Sequence, residues 1–397
     1  MINYTSVIDD NEQSKSKTDA ADTLRSRGIA YEPPTVSTLD ESTFQGQSNM
    51  PTPKHEFQRY QERFSSIVFL QDNVHIVSGA ANGTMRKWDY KTGLQVGEPW
   101  EKKGRGVCTL ALSPDGKTVA CGRYDGSVQR WNTDGEMMKA IWTGHGDFVQ
   151  SLSWSPNGDR LASGSIDGTI MIRNVESEEV GVGPIKTDQH WMYGLAFSPS
   201  GDRIASGGRN GTICIRDGNT GEILVGPIDD LGFVYSIVWS LDSSKLYSAD
   251  RFVRVLDSTS GTELHRFEHF NFPYSIALSS KYNLLAAVGH DGATQLWDTE
   301  SYQPLGYPFH HEDRQKLLCV SFSRDGQYLA YCGPNCKITL WMMNDIVPEI
   351  KVRVSIILKG ENLNSRKFGF RYPLKSVYSH STSPSLLAFF THKFITG

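Results

Sequence analysis

A single sequence unit recurs through most of this 397-residue chain at a nearly constant spacing. Its clearest copy runs from Gly144 to Asn174 and alternates short apolar runs with tight-turn sequences. Residues equivalent to Arg173 in that copy follow one another at separations of 43, 42, 43, 40, 41 and 44. A fixed period of this length predicts an array of similar supersecondary units. The seven equivalent residues are Trp88, Trp131, Arg173, Arg216, Leu256, Trp297 and Trp341.

Each unit carries a tight turn six residues before this anchor. All seven turn positions hold Asp or Asn, whose side chains bond their own backbone in such turns. Between the turns, runs such as VQSLSWS and VYSIVWS alternate apolar and polar residues, as half-buried strands do. Each unit is therefore predicted to form about four short strands. The turn positions are Asn82, Asp125, Asp167, Asn210, Asp250, Asp291 and Asn335.

The unit endings Trp88-Asp89 and Trp297-Asp298 resemble the dipeptide that gives the WD-repeat (Trp-Asp repeat) family its name. This resemblance implies an all-β fold, a seven-bladed β-propeller with four antiparallel strands per blade. The SPDG turns and the TGEILVGP run at Thr220–Pro227 are similar to fungal WD-repeat proteins, including those attached to NACHT-type signalling ATPases. No GxxxxGK[ST] motif occurs in the chain, so we do not expect it to be such an ATPase itself.

Three segments are predicted from composition and repeat spacing. Residues 1–52 are rich in polar residues and are expected to be disordered, residues 53–348 form the propeller, and residues 349–397 form a tail of net charge +6. The tail is interpreted either as a loosely ordered extension or as a basic docking segment for an acidic partner or a membrane surface. Two strands compete to complete the last blade, Lys54–Phe57 and Lys351–Leu358, and the N-terminal one is favoured.

The net charge, the absence of targeting segments and the cysteine spacing narrow the range of functions expected for this chain. The net charge of −4 disfavours nucleic-acid binding by the protein as a whole. The chain shows neither a signal peptide nor an apolar run long enough for a membrane helix, and its six cysteines lack CxxC pairing. We therefore expect a cytoplasmic or nuclear protein with reduced thiols, no cofactor and no metal. No catalytic residues are predicted.

The resemblance also implies a buried His–Ser–Asp–Trp hydrogen-bond network in each blade, but no blade of this sequence has all four residues. His145, Ser163 and Asp167 occur in the third blade with Arg173 in place of Trp, and the alignment puts Asp188 in the histidine place of the fourth. The first three are residue types of a hydrolase triad, and we interpret them as the structural network because the serine lacks a GxSxG elbow. Apolar packing is expected to hold the propeller together more than these networks do.

Three sets of residues are implied to surround the central channel at the narrow top face. We name them entry residues (Arg63, Gly106, Phe148, Trp191, Phe233, Phe272, Lys316), inner residues two positions later (Ser65, Cys108, Gln150, Tyr193, Tyr235, Tyr274, Leu318), and pre-turn residues before each Asp/Asn turn (Ala81, Tyr124, Ile166, Arg209, Ala249, His290, Pro334). The residue between each entry and inner residue is apolar or small, so alternation predicts that it points the other way.

Large aromatic residues together with arginine are typical of protein-interface hot spots. The sequence therefore predicts a non-catalytic, monomeric scaffold that binds a protein or peptide at the top face. The alternative for these aromatic residues is that they plug the channel or pack between blades. The alternative function is RNA or ribonucleoprotein association through the basic tail. The predicted partner-binding residues are Arg63, Tyr124, Phe148, Trp191, Tyr193, Arg209, Phe233, Tyr235, Phe272, Tyr274, His290 and Lys316.

Overall fold

Seven small antiparallel sheets, one for each sequence unit, make up the computed structural model. It describes residues 52–57, 63–101, 104–138, 141–229, 231–267, 272–279, 281–310 and 314–347. The predicted tail 349–397 and residues 1–51 of the predicted N-terminal segment lie outside these residues, so both remain predictions. Consecutive strands pair in every sheet, as the alternating apolar runs and intervening turns predict, and the seventh sheet gains the N-terminal strand in addition.

The first three blades span about the first half of the propeller. Blade one contains β2 (Phe64–Phe69), β3 (His75–Ala80), β4 (Met85–Asp89) and β5 (Leu94–Trp100). Blade two contains β6 (Val107–Leu112), β7 (Thr118–Arg123) and β8 (Val128–Asn132). Blade three contains β9 (Val149–Trp154), β10 (Arg160–Ser165), β11 (Thr169–Asn174) and β12 (Val180–Lys186).

The remaining four blades follow in chain order. Blade four contains β13 (Met192–Phe197), β14 (Arg203–Gly208), β15 (Ile213–Asp217) and β16 (Ile223–Ile228). Blade five contains β17 (Ser236–Trp239), β18 (Lys245–Ala249), β19 (Val253–Asp257) and β20 (Glu263–Phe267). Blade six contains β21 (Pro273–Ser279), β22 (Leu284–Gly289), β23 (Ala293–Asp298) and β24 (Pro304–His310). Blade seven contains β25 (Cys319–Phe322), β26 (Tyr328–Cys332) and β27 (Ile338–Met342), followed by the one-turn helix α1 (Met343–Ile346).

The fourth strand of blade two is replaced by isolated bridges. Val128 pairs with Trp142, and their backbone N–H groups donate to each other's carbonyl oxygens at 2.8 and 2.9 Å. A second bridge joins Trp131 to Met137. Met137 and Trp142 therefore lie along β8 in the place of a fourth strand. The predicted four-stranded blade is confirmed as the repeating unit.

The chain's N-terminal strand completes blade seven. Strand β1 (His55–Phe57) pairs antiparallel with β27, so the sheet order is β1-β27-β26-β25. The N–H of Lys54 also donates to the carbonyl oxygen of Leu340 at 2.8 Å. The prediction that the N-terminal strand closes the last blade is confirmed. Pairing β27 in this way covers a sheet edge that would otherwise present unpaired backbone groups.

Apolar cores lie between neighbouring sheets, and there is one such core at each of the seven blade interfaces in the described chain. The interface between blades seven and one, for example, contains Phe57, Phe64, Trp88, Tyr328 and Leu340. Phe57 and Trp88 meet edge-to-face with ring centroids 5.6 Å apart. Because a core joins the last blade to the first, the seven sheets form a closed ring. The predicted seven-bladed propeller is confirmed.

Polar contacts also join the first strands of successive blades. The N–H of Leu110 donates to Ser66 Oγ at 3.0 Å, and the N–H of Leu195 donates to Ser151 Oγ at 3.1 Å. Val320 makes the same contact with Ser275 Oγ at 3.2 Å. A first strand has a paired neighbour on one side only, so a serine from the preceding blade satisfies backbone donors on its other side. These contacts keep the first strands at matching heights around the ring.

Candidate functional site

The entry residues and the pre-turn residues share one end of the sheets. In five blades the N–H of the pre-turn residue donates to the carbonyl oxygen of the entry residue, at 2.9 to 3.2 Å. This bond is possible because a first strand begins where its antiparallel neighbour ends. Since first strands of neighbouring blades are held at matching heights, the two sets form one face of the propeller. The bonded pairs are Ala81 with Arg63, Tyr124 with Gly106, Ile166 with Phe148, Arg209 with Trp191, and His290 with Phe272.

The residue between each entry and inner residue is buried in all seven blades. Val107, Val149, Met192 and Val234 have no measurable exposure, whereas the inner residues of blades four to six are half-buried. The predicted alternation at the start of the first strand is therefore confirmed. The buried residues are Phe64, Val107, Val149, Met192, Val234, Pro273 and Leu317.

A continuous aromatic cluster spans blades four, five and six. Tyr193 and Tyr235 have ring centroids 5.3 Å apart, and Tyr235 and Tyr274 are 4.8 Å apart with nearly perpendicular planes. Trp191 meets Tyr193 edge-on at 6.3 Å, and Phe233 meets Tyr235 edge-on at 6.2 Å. Edge-to-face and tilted pairs at these separations are favourable for aromatic quadrupoles. The tyrosines that the sequence places on three separate blades therefore act as one surface, which we call the tyrosine cluster.

Arg209 extends the tyrosine cluster with a positive charge. Its Cζ lies 4.3 Å from the ring centroid of Trp191 and 5.8 Å from that of Phe233. A guanidinium at the first distance from an indole ring makes a favourable cation–π contact. On the neighbouring side, Tyr274 and His290 have ring centroids 6.1 Å apart. The structure thus brings together seven of the predicted residues, from blades four, five and six.

A second, smaller aromatic pair lies between blades two and three. The rings of Tyr124 and Phe148 stack with centroids 4.6 Å apart and planes inclined by 16°. Burial raises the pKa of Tyr124 to about 12, and nearby Arg63 opposes this shift. Glycine at position 106 is required here, because a Cβ would lie 2.7 Å from a carbon of the Tyr124 ring and 2.3 Å from the carbonyl oxygen of Ala81. The stack of Tyr124 and Phe148 thus joins a pre-turn residue of blade two to the entry residue of blade three.

Phe272 is the most exposed aromatic residue on this face. Its side chain is 46% exposed, and its backbone φ is +52°, in the left-handed region that non-glycine residues seldom adopt. Strain of this kind is concentrated at functional positions. The predicted residues Arg63 and His290 are also exposed, and Lys316 is half-buried. All twelve predicted residues lie in the described part of the chain, on the face that the backbone bonds define or beside it.

The residues resembling a hydrolase triad form a buried structural network. His145 Nε2 lies 2.8 Å from Ser163 Oγ, and His145 Nδ1 lies 2.9 Å from Thr169 Oγ1 and 3.5 Å from Asp167 Oδ2. Burial lowers the pKa of His145, while Asp167 opposes the shift. Ser163 lies within strand β10 and is buried, so its hydroxyl is not open to a substrate. The geometry fits the structural interpretation.

In blade four the repeat alignment was wrong by one residue. Gln189, not Asp188, takes the place of the histidine: its Nε2 donates to the carbonyl oxygens of Ser206 and Thr212, both at 2.9 Å. Ser206 Oγ in turn donates to Gln189 Oε1 at 2.8 Å. An amide supplies both a donor and an acceptor, as a neutral imidazole does, which explains the replacement. The sequence did not indicate the role of Gln189, because glutamine is not the residue expected there and it lies one position away from the aligned histidine place.

Blade five replaces the network with buried charges. Arg254 Nε donates to both carboxylate oxygens of the fully buried Asp250, at 3.1 and 2.9 Å, and Arg254 also pairs with Glu263. Burial raises the pKa of Asp250, and its hydrogen bonds with the Phe252 backbone and Arg254 oppose that shift. This ion pair was not predicted from the sequence. The four-residue spacing of Asp250 and Arg254 across the tight turn was the available signal.

The described residues contain no group of three or more His, Cys, Asp and Glu side chains arranged to hold a metal ion. All six cysteines are free thiols. In the described part of the chain, no helix combines the length and the apolar character that crossing a membrane requires.

A protein-family model matches five stretches of the chain. The model described as "WD domain, G-beta repeat" matches residues 51–89, 100–132, 137–174, 183–217 and 303–342. These matches fall on blades one to four and on the seventh. The chain is a WD-repeat protein. The two blades without a match are five, whose network is the Asp250–Arg254 pair, and six, where Ala287 stands in the serine place.

Among solved structures, this WD-repeat chain is similar to one titled "Crystal Structure of Mitotic Checkpoint Complex". The TM-score is 0.65 at 16% sequence identity, and the alignment covers 79% of this chain and 99% of the other. In all, 1864 solved chains match, so the likeness establishes the fold and does not select a partner. The sequence has no match among curated proteins. WD-repeat propellers typically act as non-catalytic scaffolds that bind other proteins.

Proposed function

We propose that this WD-repeat propeller binds a protein or peptide segment on the face formed by its entry and pre-turn residues. The observation that carries the proposal is the tyrosine cluster with Arg209, which joins three blades into one aromatic surface. Aromatic residues and arginine dominate the energetics of protein interfaces, because they offer large contact areas at a low cost in side-chain entropy.

The rigidity of the face formed by the entry and pre-turn residues supports the same proposal. The entry and pre-turn residues are tied to each other by backbone hydrogen bonds, and a buried residue anchors the start of every first strand. A surface held in one conformation loses little entropy on binding, so more of the contact energy appears as affinity. The exposed Phe272, in its strained conformation, adds a large apolar side chain at the edge of the tyrosine cluster. The opposing interpretation, in which the aromatic residues only fill the channel, predicts no effect of their truncation on partner binding.

The test is affinity purification with mass spectrometry of three tagged proteins. These are the wild type, the Trp191→Ala/Phe233→Ala variant, and a control with Ile223→Ala/Leu224→Ala on the exposed outer strand of blade four. We expect the first double variant to lose the specific partners and the control to retain them. Equal recovery by all three, with the fold intact by circular dichroism, would contradict binding on this face.

RNA association through the tail at 349–397 is the second candidate. Its support is the tail's net charge of +6, and the net charge of −4 on the whole chain opposes it. Counterion release makes such binding strongly salt-dependent. RNA retention that falls steeply between low and physiological salt, and is lost on removing the tail, would favour this function. We further propose that the protein is a monomer in the cytoplasm or nucleus, which light scattering and imaging of a tagged copy would test.

A further inference from the structure

Two cysteines of blade seven lie directly opposite each other on neighbouring strands. Cys319 in β25 is the register partner of Cys332 in β26, and the two strands are antiparallel. The N–H of Leu318 donates to the carbonyl oxygen of Cys332 at 2.8 Å, which holds the two backbones side by side. Opposed residues of antiparallel strands have Cα atoms about 4.5 to 5.5 Å apart. This range lies within the Cα separation of about 4.4 to 6.8 Å that a disulfide bond spans.

The two thiols are also in contact. The thiol of Cys332 donates a hydrogen bond to the sulfur of Cys319, which lowers the pKa of Cys319 although burial opposes the shift. Burial raises the pKa of Cys332 well above its ordinary range, so this thiol keeps its proton. Because the thiolate is the form that reacts, Cys319 is the more nucleophilic of the two. Cys121 and Cys214 lie opposite residues other than cysteine, so the pairing does not recur at them.

Cys319 stands in the place of a serine that links successive blades. Ser66, Ser236 and Ser275 each accept an N–H from the first strand of the next blade, at 3.0 to 3.3 Å. The counterpart in blade seven is Cys319, whose Sγ donates to the carbonyl oxygen of Ile67 in blade one at 3.8 Å. A thiol is a weaker donor than a hydroxyl, but it can be oxidised. The ring closure therefore carries a reactive group where other blades carry an inert one.

The pair lies in the apolar core that joins the last blade to the first. Cys332 belongs to this core and has no measurable exposure, and Cys319 packs against the core while remaining partly exposed. A small oxidant therefore meets Cys319 before Cys332. A sulfenic acid formed at Cys319 already has a second cysteine beside it, as redox-sensing cysteines often do.

We propose that Cys319 and Cys332 form a reversible oxidation site, at which a peroxide converts the two thiols into a disulfide bond between β25 and β26. With hydrogen peroxide, the Cys319 sulfur attacks one oxygen, the O–O bond breaks, and water leaves while Cys319 becomes a sulfenic acid. The Cys332 sulfur then attacks the Cys319 sulfur, and the sulfenic hydroxyl leaves as a second water. Both thiols lose their hydrogen, and the peroxide is reduced to two water molecules. A dithiol reductant reverses the bond.

Oxidation also changes the seam between blades seven and one. The disulfide removes the hydrogen that Cys319 donates to the carbonyl oxygen of Ile67. The link between these two first strands is thereby lost, in the same blade that the N-terminal strand β1 completes. The reaction requires no bound partner, so it can be tested on the protein alone.

The test is hydrogen peroxide treatment of the purified, reduced full-length protein, followed by alkylation, digestion with trypsin and mass spectrometry. Trypsin places Cys319 in the peptide 317–324 and both Cys332 and Cys336 in the peptide 325–337. A disulfide between the first two cysteines joins these peptides.

Three variants identify the atoms that react. Cys319→Ser and Cys332→Ala each remove one partner, and the first restores a hydroxyl like those of the other blades. Cys336→Ser is the matched control, because it removes the other cysteine of the second peptide. Circular dichroism checks that each variant is folded.

We expect the joined peptides in the wild type and in Cys336→Ser, and their loss in Cys319→Ser and in Cys332→Ala. Dithiothreitol should separate the peptides and restore alkylation of both thiols. Peptides joined through Cys336, or Cys319 oxidised to a sulfinic acid without a link, would overturn the proposal. So would a pair of thiols that stays reduced while the exposed Met138 of the same molecules becomes a sulfoxide.

Discussion

Arg209 contacts Trp191 twice, once through the backbone and once through the side chain. Its N–H donates to the Trp191 carbonyl oxygen at 3.0 Å, and its Cζ lies 4.3 Å from the centre of the indole. The first contact belongs to the sheet and recurs in other blades, whereas the second depends on the two side chains of blade four. The proposed binding surface is thus built by placing particular side chains on a backbone arrangement that the propeller repeats.

The side-chain contact is expected to be measurable as a coupling energy. In a double-mutant cycle of Trp191→Ala and Arg209→Ala, a partly desolvated cation–π pair should give about 1 kcal/mol of coupling in the free energy of unfolding. Urea denaturation of the four proteins measures it. A parallel cycle of Arg209→Ala with Leu264→Ala, an exposed residue of blade five, should be additive. Additivity in both cycles would show that the stacking contributes nothing.

Removal of an inter-blade hydroxyl is expected to destabilise the ring. Ser66→Ala leaves the buried N–H of Leu110 without its acceptor, which should cost about 1 to 3 kcal/mol in the free energy of unfolding. Chemical denaturation provides the measurement. Ser177→Ala, at an exposed turn in blade three, serves as the control and should change stability by less than about 0.5 kcal/mol. Equal effects of the two substitutions would argue against a role for the serine contacts.

Removing one partner of the buried ion pair in blade five should lower the free energy of unfolding strongly. Replacing both partners by apolar residues should lower it less. Among the described residues, Asp250→Ala leaves the buried, charged Arg254 with Glu263 as its remaining acidic partner, so we expect a loss of about 3 to 5 kcal/mol in the free energy of unfolding. The double variant Asp250→Leu/Arg254→Leu removes both buried charges and should be more stable than the single variant. Thermal and urea unfolding would compare them. A double variant less stable than Asp250→Ala would mean that the pair itself stabilises the blade strongly.

His145 predicts a specific pH dependence. Burial lowers its pKa in the folded protein below the ordinary 6.5, so the unfolded chain binds the proton more readily. The stabilising contribution is complete above about pH 6.5 and is lost as the pH falls toward the folded-state pKa. His145→Gln, which places in blade three the residue that blade four uses, should remove this part of the dependence. The measurement is the difference in unfolding free energy between variant and wild type at about pH 5 and pH 8.

The other ten histidines titrate in both proteins, so only this difference reports on His145. We expect the wild type to lose stability relative to His145→Gln on acidification. A difference that is constant between the two pH values would contradict the buried, neutral state of His145.

Much of the fold could be predicted from the sequence because its signals are local and repeated. The Asp and Asn turns, the alternating runs and the constant spacing each report on residues within one blade, and together they predicted seven blades. Closure by Lys54–Phe57 was also predictable, because that run occupies the place of an outer strand in the repeat. Contacts between blades were not visible in this way. Ser66 and Leu110 are 44 residues apart, and nothing in either residue's surroundings identifies the other.

The candidate site was predictable only as a set of positions. Alternation correctly indicated that Trp191 and Tyr193 point away from buried Met192, but it could not reveal that Phe148 stacks on Tyr124 of the preceding blade. The replacements of the buried His–Ser–Asp–Trp network were harder to predict. Gln189 in blade four and the Asp250–Arg254 pair in blade five take the place of this network with different chemistry. A search for the usual residue types does not find either of them.

Hydrogen exchange of the propeller with and without its purified partner tests the central claim most directly. Bound partner should slow amide exchange at Arg209, whose N–H bonds Trp191, and at Val234, whose N–H donates to the carbonyl oxygen of Gly208 at 3.1 Å. The turns joining first and second strands, at the opposite end of the sheets, should be unchanged. Slowed exchange confined to those turns or to the outer strands would contradict binding on the face formed by the entry and pre-turn residues.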